Sequence, residues 1–509
     1  MLSGWVAAPS KKRWARNDGV VTGRAAALIT GGELMKLFYL FATLWMVFCV
    51  ADAAFAGTNT PRHYSVAKQK AHYHTVSKRR SSSAALPYAS VSAPGIYGVS
   101  QLSSTLNYIV NSSRVNADVA VYVKSMKYGD TLYTRGINQP MVPASTLKIF
   151  TAEAALLYLG PNYRFSTQLL TDAKTVKNGV LEGNLYIVLN GDPSLTYDDL
   201  DDLFQTLQAE QIRGVAGNVY IDNTAYDQSF YGPGWVRRDK DYCYGAPISA
   251  SIINQNCLTF RSVASKMTGR RTLSLPKRRY TFAVGSVVTD VPDYNRTLIK
   301  GLLSRLAISV YGTVTFGPAP AHLSIIGTHS SKPLSQLVTD MLKKSNNVIA
   351  GAIFKKIGQL YSRQPGSWTN GSTAVSQILA KRAGVNVSGM RILDGSGLSP
   401  NNLTTSAQMM QVLDFAFHNA TTSYDFITAL PIAGVDGTLK RRMANLIRKV
   451  RAKTGTFPLN GVASLAGYTV SADKEPLAFV IMINGRGGLG WRYRGLEDKV
   501  VTALTKYRR

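Results

Sequence analysis

The apolar periodicity of this chain changes character twice, which argues against one uninterrupted domain. Near residue 99 a helical pattern around Leu102 to Val110 leads into two alternating stretches, "ADVAVYVKS" and "DTLYTRG", joined by a turn at Tyr128-Gly129. An apolar helix follows, opened by Pro143 and closed by Gly160-Pro161. From Tyr163 to about Pro320 the pattern becomes short strands and turns, as in "GVLEGNLYIVLNGDPSL", "GVAGNVYIDNTAY" and "RYTFAVGSVVTDV". Helical periodicity returns at Pro333, recurs at 372–383 and 405–418, and gives way to the strands "VRAKTGTFPLNGVASLAGYTV" and "PLAFVIMING" and a last helix near Arg494 to Tyr507. The pattern predicts a multidomain α/β protein: one split domain, residues 99–162 and 321–509, with a β-rich insert at 163–320.

The N-terminal fifth is not expected to contribute to a core. "MKLFYLFATLWMVFCVADAAFAGTNT" has the basic start, apolar run and small-x-small site of a secretory signal, residues 35–56, with cleavage expected after Ala56. Its apolar run is shorter than the roughly 20 residues that span a bilayer, so export to the periplasm is expected, as a soluble or peripheral protein. Residues 1–34 read as an extra leader or a mis-assigned start, and residues 57–98 as a solvated basic tether rich in Ser, Ala and Pro. With 58 Lys plus Arg against 29 Asp plus Glu, the formal charge is +29, which favours polyanions. No zinc-finger spacing or RNA-recognition signature accompanies that charge, so nucleic acid is not expected as a partner. The basic residues of 57–90 fit attachment to an anionic membrane or cell-wall surface, and equally an inert linker. Cys49 falls in the signal, leaving Cys243 and Cys257. In an oxidising compartment the pair suggests a disulfide, worth about 3 kcal/mol for such a loop; two separate buried thiols are the alternative.

Ser-x-x-Lys occurs at Ser65/Lys68, Ser145/Lys148, Ser274/Lys277 and Ser471/Lys474. Only Ser145 and Lys148 stand in the first turn of an apolar helix, where i and i+3 side chains share a face. A serine hydroxyl needs a base to become a nucleophile, and lysine serves if burial or a neighbouring cation keeps it neutral. Histidine is a poor candidate for that base: His63, His72 and His74 lie in the tether, and His322, His329 and His418 lie in no recognisable motif. Two further elements stand out, Ser345-Asn346-Asn347 on the helical stretch after Pro333 and Lys453-Thr454-Gly455-Thr456 on a predicted strand. Singly, each pattern fits a helix cap, a polar face or a surface lysine. Gly485-x-Gly487-x-x-Gly490 has the form of a dinucleotide fingerprint, but too little chain follows it for a second strand, so a tight turn is expected.

Together and in this order, the three motifs resemble those of penicillin-binding proteins and serine β-lactamases. With "GDPSL", "DGSGLS" and "LPIAGVDGTLKRR", the chain over about residues 99–509 resembles the D-alanyl-D-alanine carboxypeptidase/endopeptidase family, the low-molecular-mass class C penicillin-binding proteins of the penicillin-binding protein 4 type. The resemblance implies a split domain of antiparallel sheet flanked by helices, penicillin sensitivity, peptidoglycan stem peptides as substrate, β-lactams as inhibitors, and neither metal nor organic cofactor. It implies Ser145 as nucleophile, Lys148 as its base, Ser345 as proton relay and Asn347 as a holder of Lys148 and the substrate amide. Lys453 would be a standing cation, Thr454 and Thr456 would bind the substrate carboxylate, and Gly455 would let the peptide lie close. The oxyanion hole would be the N–H groups of Ser145 and Thr456. A serine β-lactamase and a non-catalytic cell-wall binding protein are the alternatives.

Overall fold

The computed structural model describes residues 95–264, 280–457, 461–488 and 490–509; the expected signal and tether lie outside the described residues. The centre of the molecule is a five-stranded antiparallel sheet in the order Val450–Phe457, Val462–Val470, Pro476–Gly485, Ala117–Ser125, Thr131–Arg135. Because side chains alternate along a strand, the central "LAFVIMI" run serves two cores at once. Phe479, Ile481 and Ile483 face the terminal helices Gly98–Ser112 and Arg494–Leu504, while Ala478, Val480 and Met482 face the helical body.

That body contains helices Lys148–Leu159, Leu334–Lys344, Asn347–Ser362, Trp368–Ala383 and Ser406–His418. Lys148–Leu159 is buried on every side from Lys148 to Leu156, as expected of a helix without a polar face. A helix gripped all round holds its N-terminal turn rigidly, and that turn carries Ser145.

The region expected as a β-rich insert carries helices as well as strands. Its five-stranded sheet, in the order Val314–Phe316, Val219–Asp222, Leu185–Leu189, Ser166–Thr171, Ser324–Ser330, is packed with helices Tyr197–Ala209 and Val291–Arg305. The first of these buries Leu200, Leu203, Phe204 and Leu207 at helical spacing and starts with a Thr196/Asp199 capping box. Strand Ser324–Ser330 pairs with Ser166–Thr171, so the insert's sheet extends past the boundary expected at residue 320.

Conversely, part of the stretch read as insert packs in the core of the helical body, through Trp235, Ala246, Ile248 and Ile252. Polar anchors fix it there. Tyr226 donates to the carbonyl of Ala352 at 2.8 Å, Trp368 to that of Ser229 at 2.7 Å, and buried Lys355 to Asp227 at 2.7 Å and to the Ser229 carbonyl at 2.8 Å. Lys355 also lies 4.8 Å from the Trp368 ring centroid. Such long-range anchors leave no periodic signal in sequence.

Lys355 is fully buried while Asp227 is one-third exposed, so losing the lysine removes packing and the link between these segments rather than stranding a buried charge. Lys355→Ala should therefore cost about 2 kcal/mol of stability, read from chemical denaturation, whereas an unchanged midpoint would show that this anchor is dispensable.

Candidate active site

Ser145 lies in a tight 3-10 turn, Ala144–Leu147, that runs directly into the helix Lys148–Leu159. Ala144 before it has φ of 48°, a left-handed conformation disfavoured for any residue with a Cβ. Packing holds the turn from two sides. Ser464 donates to the Pro143 carbonyl at 2.5 Å, and Gly397, at φ +77°, lies so close that a methyl there would collide with the Ala144 carbonyl.

Lys148 is fully buried and donates to Ser145 Oγ at 3.1 Å, Asn347 Oδ1 at 2.6 Å and the Ser396 carbonyl at 2.6 Å. Burial pushes its ammonium down to about 7, against the opposing pull of the Asp394 carboxylate. Asp394 is itself buried and folds the "DGSGLS" loop around its oxygens. It accepts from the amides of Ser396 at 3.0 Å, Gly397 at 2.6 Å and Ser399 at 2.8 Å, and from Trp235 Nε1 at 2.5 Å.

Ser345 does not sit within a continuous helix. It closes Leu334–Lys344 in the left-handed conformation, φ 55°, and Asn346 then caps Asn347–Ser362 by accepting from the Ile349 amide at 3.0 Å. The break turns Ser345 Oγ toward Lys453, which donates to it at 2.9 Å and to the Thr454 carbonyl at 2.7 Å. Lys453 is fully buried, and burial together with the charge of Lys148 drives its proton affinity well below the ordinary lysine range. The expected cation therefore stands in a dry site, where burial and the charge of Lys148 both oppose its own charge.

The strand Val450–Phe457 forms the edge of the central sheet beside the Ser145 turn. A Cβ on Gly455 would lie 3.1 Å from the Ser145 amide nitrogen and 2.7 Å from the Pro143 carbonyl, so only glycine fits. Thr454 Oγ1 donates to Thr438 Oγ1 at 2.7 Å, and Arg494 Nη2 approaches Thr456 Oγ1 at 3.5 Å. Asn347 Nδ2 donates to the Tyr244 carbonyl at 2.8 Å; Tyr244 adjoins Cys243, which is bonded to Cys257 with Cα atoms 5.4 Å apart.

All three motifs therefore meet at one place. Sequence reasoning missed the Ser396 carbonyl, Asp394, Ser464, Thr438 and Tyr244. The "DGSGLS" string was visible but carried no role, and the others have no local signature. Among the described residues no cluster of metal-ligating side chains occurs, and none of the hydrogen bonds to Ser145 comes from histidine.

A serine hydroxyl against a buried lysine of lowered proton affinity, with Ser-Asn-Asn and Lys-Thr-Gly on facing elements, places the chain in the acyl-serine class built on the penicillin-binding-protein and serine β-lactamase fold. The chain belongs to the D-Ala-D-Ala carboxypeptidase 3 (S13) family, whose sequence profile matches residues 102–274 and 267–495. It is 33% identical over 391 residues to D-alanyl-D-alanine carboxypeptidase DacB of Haemophilus influenzae, covering 68% of this chain and 81% of that protein. Against the D-alanyl-D-alanine carboxypeptidase of Actinomadura sp. it is 30% identical over 444 residues, 76% of this chain and 81% of that one. Its fold matches the crystal structure of penicillin binding protein 4 from H. influenzae with a TM-score of 0.69 at 28% identity, over 81% of this chain and all of the other. A structure of that protein complexed with a β-lactam matches at TM-score 0.65, 27% identity, over 78% of this chain and 98% of the other.

Because Lys148 must be neutral to accept a proton, acylation by a penicillin should fall about tenfold per pH unit below pH 7. The Asp394 carboxylate favours the charged lysine, so Asp394→Asn should move this acidic limb to lower pH while slowing the reaction. A limb that stays in place or moves to higher pH, measured by stopped-flow acylation, would contradict that electrostatic link.

Proposed function

We propose that this chain is an exported, penicillin-sensitive serine peptidase that cleaves the D-Ala-D-Ala end of peptidoglycan stem peptides, the D-Ala cross-link between them, or both. The observation that carries the reading is the contact of buried Lys148 with Ser145 and Asn347. Lys148 takes the proton of Ser145 Oγ as that oxygen attacks the carbonyl carbon of the penultimate D-Ala. The developing oxyanion is held by the N–H groups of Ser145 and Thr456, a preorganised pair in which one donor is worth about 3 kcal/mol. Ser345 passes a proton to the leaving amine, D-alanine departs, and water then hydrolyses the ester on Ser145.

The substrate backbone lies along the edge of residues 453–457, beyond the part of the strand bridged by Ile432 to Arg451, as an added strand, which the missing side chain of Gly455 permits. Its terminal carboxylate binds the hydroxyls of Thr454 and Thr456. That carboxylate also faces Lys453 and favours its charged form, which burial and the charge of Lys148 oppose. The signal sequence supports a periplasmic location, and no described helix is long and apolar enough to cross a membrane. Through the basic residues of 57–90 the chain can lie against an anionic surface.

Intact mass spectrometry with benzylpenicillin should show one stable adduct, mapping to Ser145 and lost in Ser145→Ala. Rapid turnover of the penicillin would make the protein a β-lactamase, and no adduct on folded protein would make it a cell-wall binding protein.

A further inference from the structure

The two asparagines after Ser345 are held by loops from a distant part of the chain, and a disulfide ties those loops together. Asn347 Nδ2 donates to the Tyr244 carbonyl at 2.8 Å, and Asn346 Nδ2 donates to Gln255 Oε1 at 2.8 Å. Tyr244 directly follows Cys243, Gln255 lies just before Cys257, and the two cysteines are bonded.

The Gln255 loop does not hold this shape by local preference. Asn254, Gln255 and Asn256 have φ of 49°, 57° and 50°, three successive left-handed residues with side chains. Their surroundings impose it: Asn254 Oδ1 accepts from the Tyr197 amide at 3.2 Å, and Asn256 Nδ2 donates to the Pro247 carbonyl at 2.9 Å. The other loop is braced by the Tyr242–Tyr244 ring stack, centroids 5.4 Å apart, and by Tyr244 Oη donating to Asp239 Oδ1 at 2.9 Å.

Both cysteines are half-buried and line an open cavity with Ser194, Thr196, Gln255 and Leu258, so a thiol reagent can reach them.

We propose that the Cys243–Cys257 disulfide positions the active site, by clamping Tyr244 and Gln255 onto Asn347 and Asn346. The inference rests on the reading that Asn347 holds Lys148. An asparagine amide presents its oxygen to one partner only while its nitrogen has another. The Tyr244 carbonyl occupies Nδ2 and so keeps Oδ1 on Lys148. Freed loops release that constraint, Asn347 rotates, and Lys148 loses an acceptor that favours its charged form.

The test is stopped-flow acylation by a fluorescent penicillin across pH, normalised to active sites titrated by the same reagent. Wild type, wild type reduced with dithiothreitol, Cys243→Ser/Cys257→Ser, Gln255→Leu and Ser145→Ala are compared. In the reduction, the two thiols of dithiothreitol close to a disulfide as the two cysteines gain two electrons and two protons. Opening the disulfide, chemically or by mutation, should slow acylation roughly tenfold and move its acidic limb to lower pH. Gln255→Leu, with the disulfide intact, should slow it in the same direction, and reoxidation should restore the reduced wild type.

A wild-type rate and limb in reduced enzyme or in the folded double variant would overturn the proposal. So would fewer active sites with an unmoved limb, the signature of a purely structural staple. If the double variant does not fold, reduced wild type and Gln255→Leu decide. Labelling of Ser145→Ala would instead defeat the underlying reading of the active site.

Discussion

The site depends on an ammonium group withdrawn from water. Taking a lysine charge into a protein interior costs several kcal/mol, and the side chain meets that cost by giving up its proton more readily. For Lys148 the remaining polarity is satisfied by three oxygens, from Ser145, Asn347 and Ser396, which lie far apart in the chain. The serine turn, the break between two helices and the Asp394 loop must all be in place before the base exists. A second buried lysine, Lys453, reaches the same pocket from the edge strand, and burial with the charge of Lys148 makes it harder for Lys453 to hold its own charge. Two buried lysines suit the pocket to an anionic substrate, whose carboxylate offsets their burial.

Bringing so many segments together requires very small residues where backbones meet. Gly397 lies against the Ala144 carbonyl and Gly455 against the Ser145 amide, and in both places a methyl group would force the chains apart. The left-handed backbones of Ala144 and Ser345 are the counterpart of that crowding. Disfavoured conformations of this kind persist where surrounding structure over-determines them, and they cluster at functional sites. Here the buried helix behind Ser145 and the cap made by Asn346 supply the constraint.

Much of this was legible from sequence, and the reason differs from residue to residue. The strand Ala117–Ser125 and the helix Ser406–His418 follow directly from period, and Ser145 with Lys148 from helical spacing beside an apolar run. Ser345, Asn347 and Lys453 became visible through the order of three motifs, since each alone fits a surface role. The helix break at Ser345 was not legible, because no glycine or proline marks it and the apolar period runs on through it. Nor was the sharing of residues between insert and peptidase core. Trp235 and Ile248 pack far from their sequence neighbours, and Ser324–Ser330 pairs across more than a hundred residues with a strand whose pattern it does not announce. Polar contacts such as Tyr244 to Asn347 depend on where a loop passes, which no periodicity records.

The central claim is that Lys148 gives up its proton near pH 7, so that a large neutral fraction exists at physiological pH. Lysine labelled with 13C at Cε, observed by NMR through a pH titration and assigned to Lys148 with a Lys148→Arg variant, measures it directly. A Lys148 signal that titrates near pH 7, well below the surface lysines, is the predicted result. A signal that stays in the charged form until the surface lysines titrate would contradict the account, because the serine would then have no base.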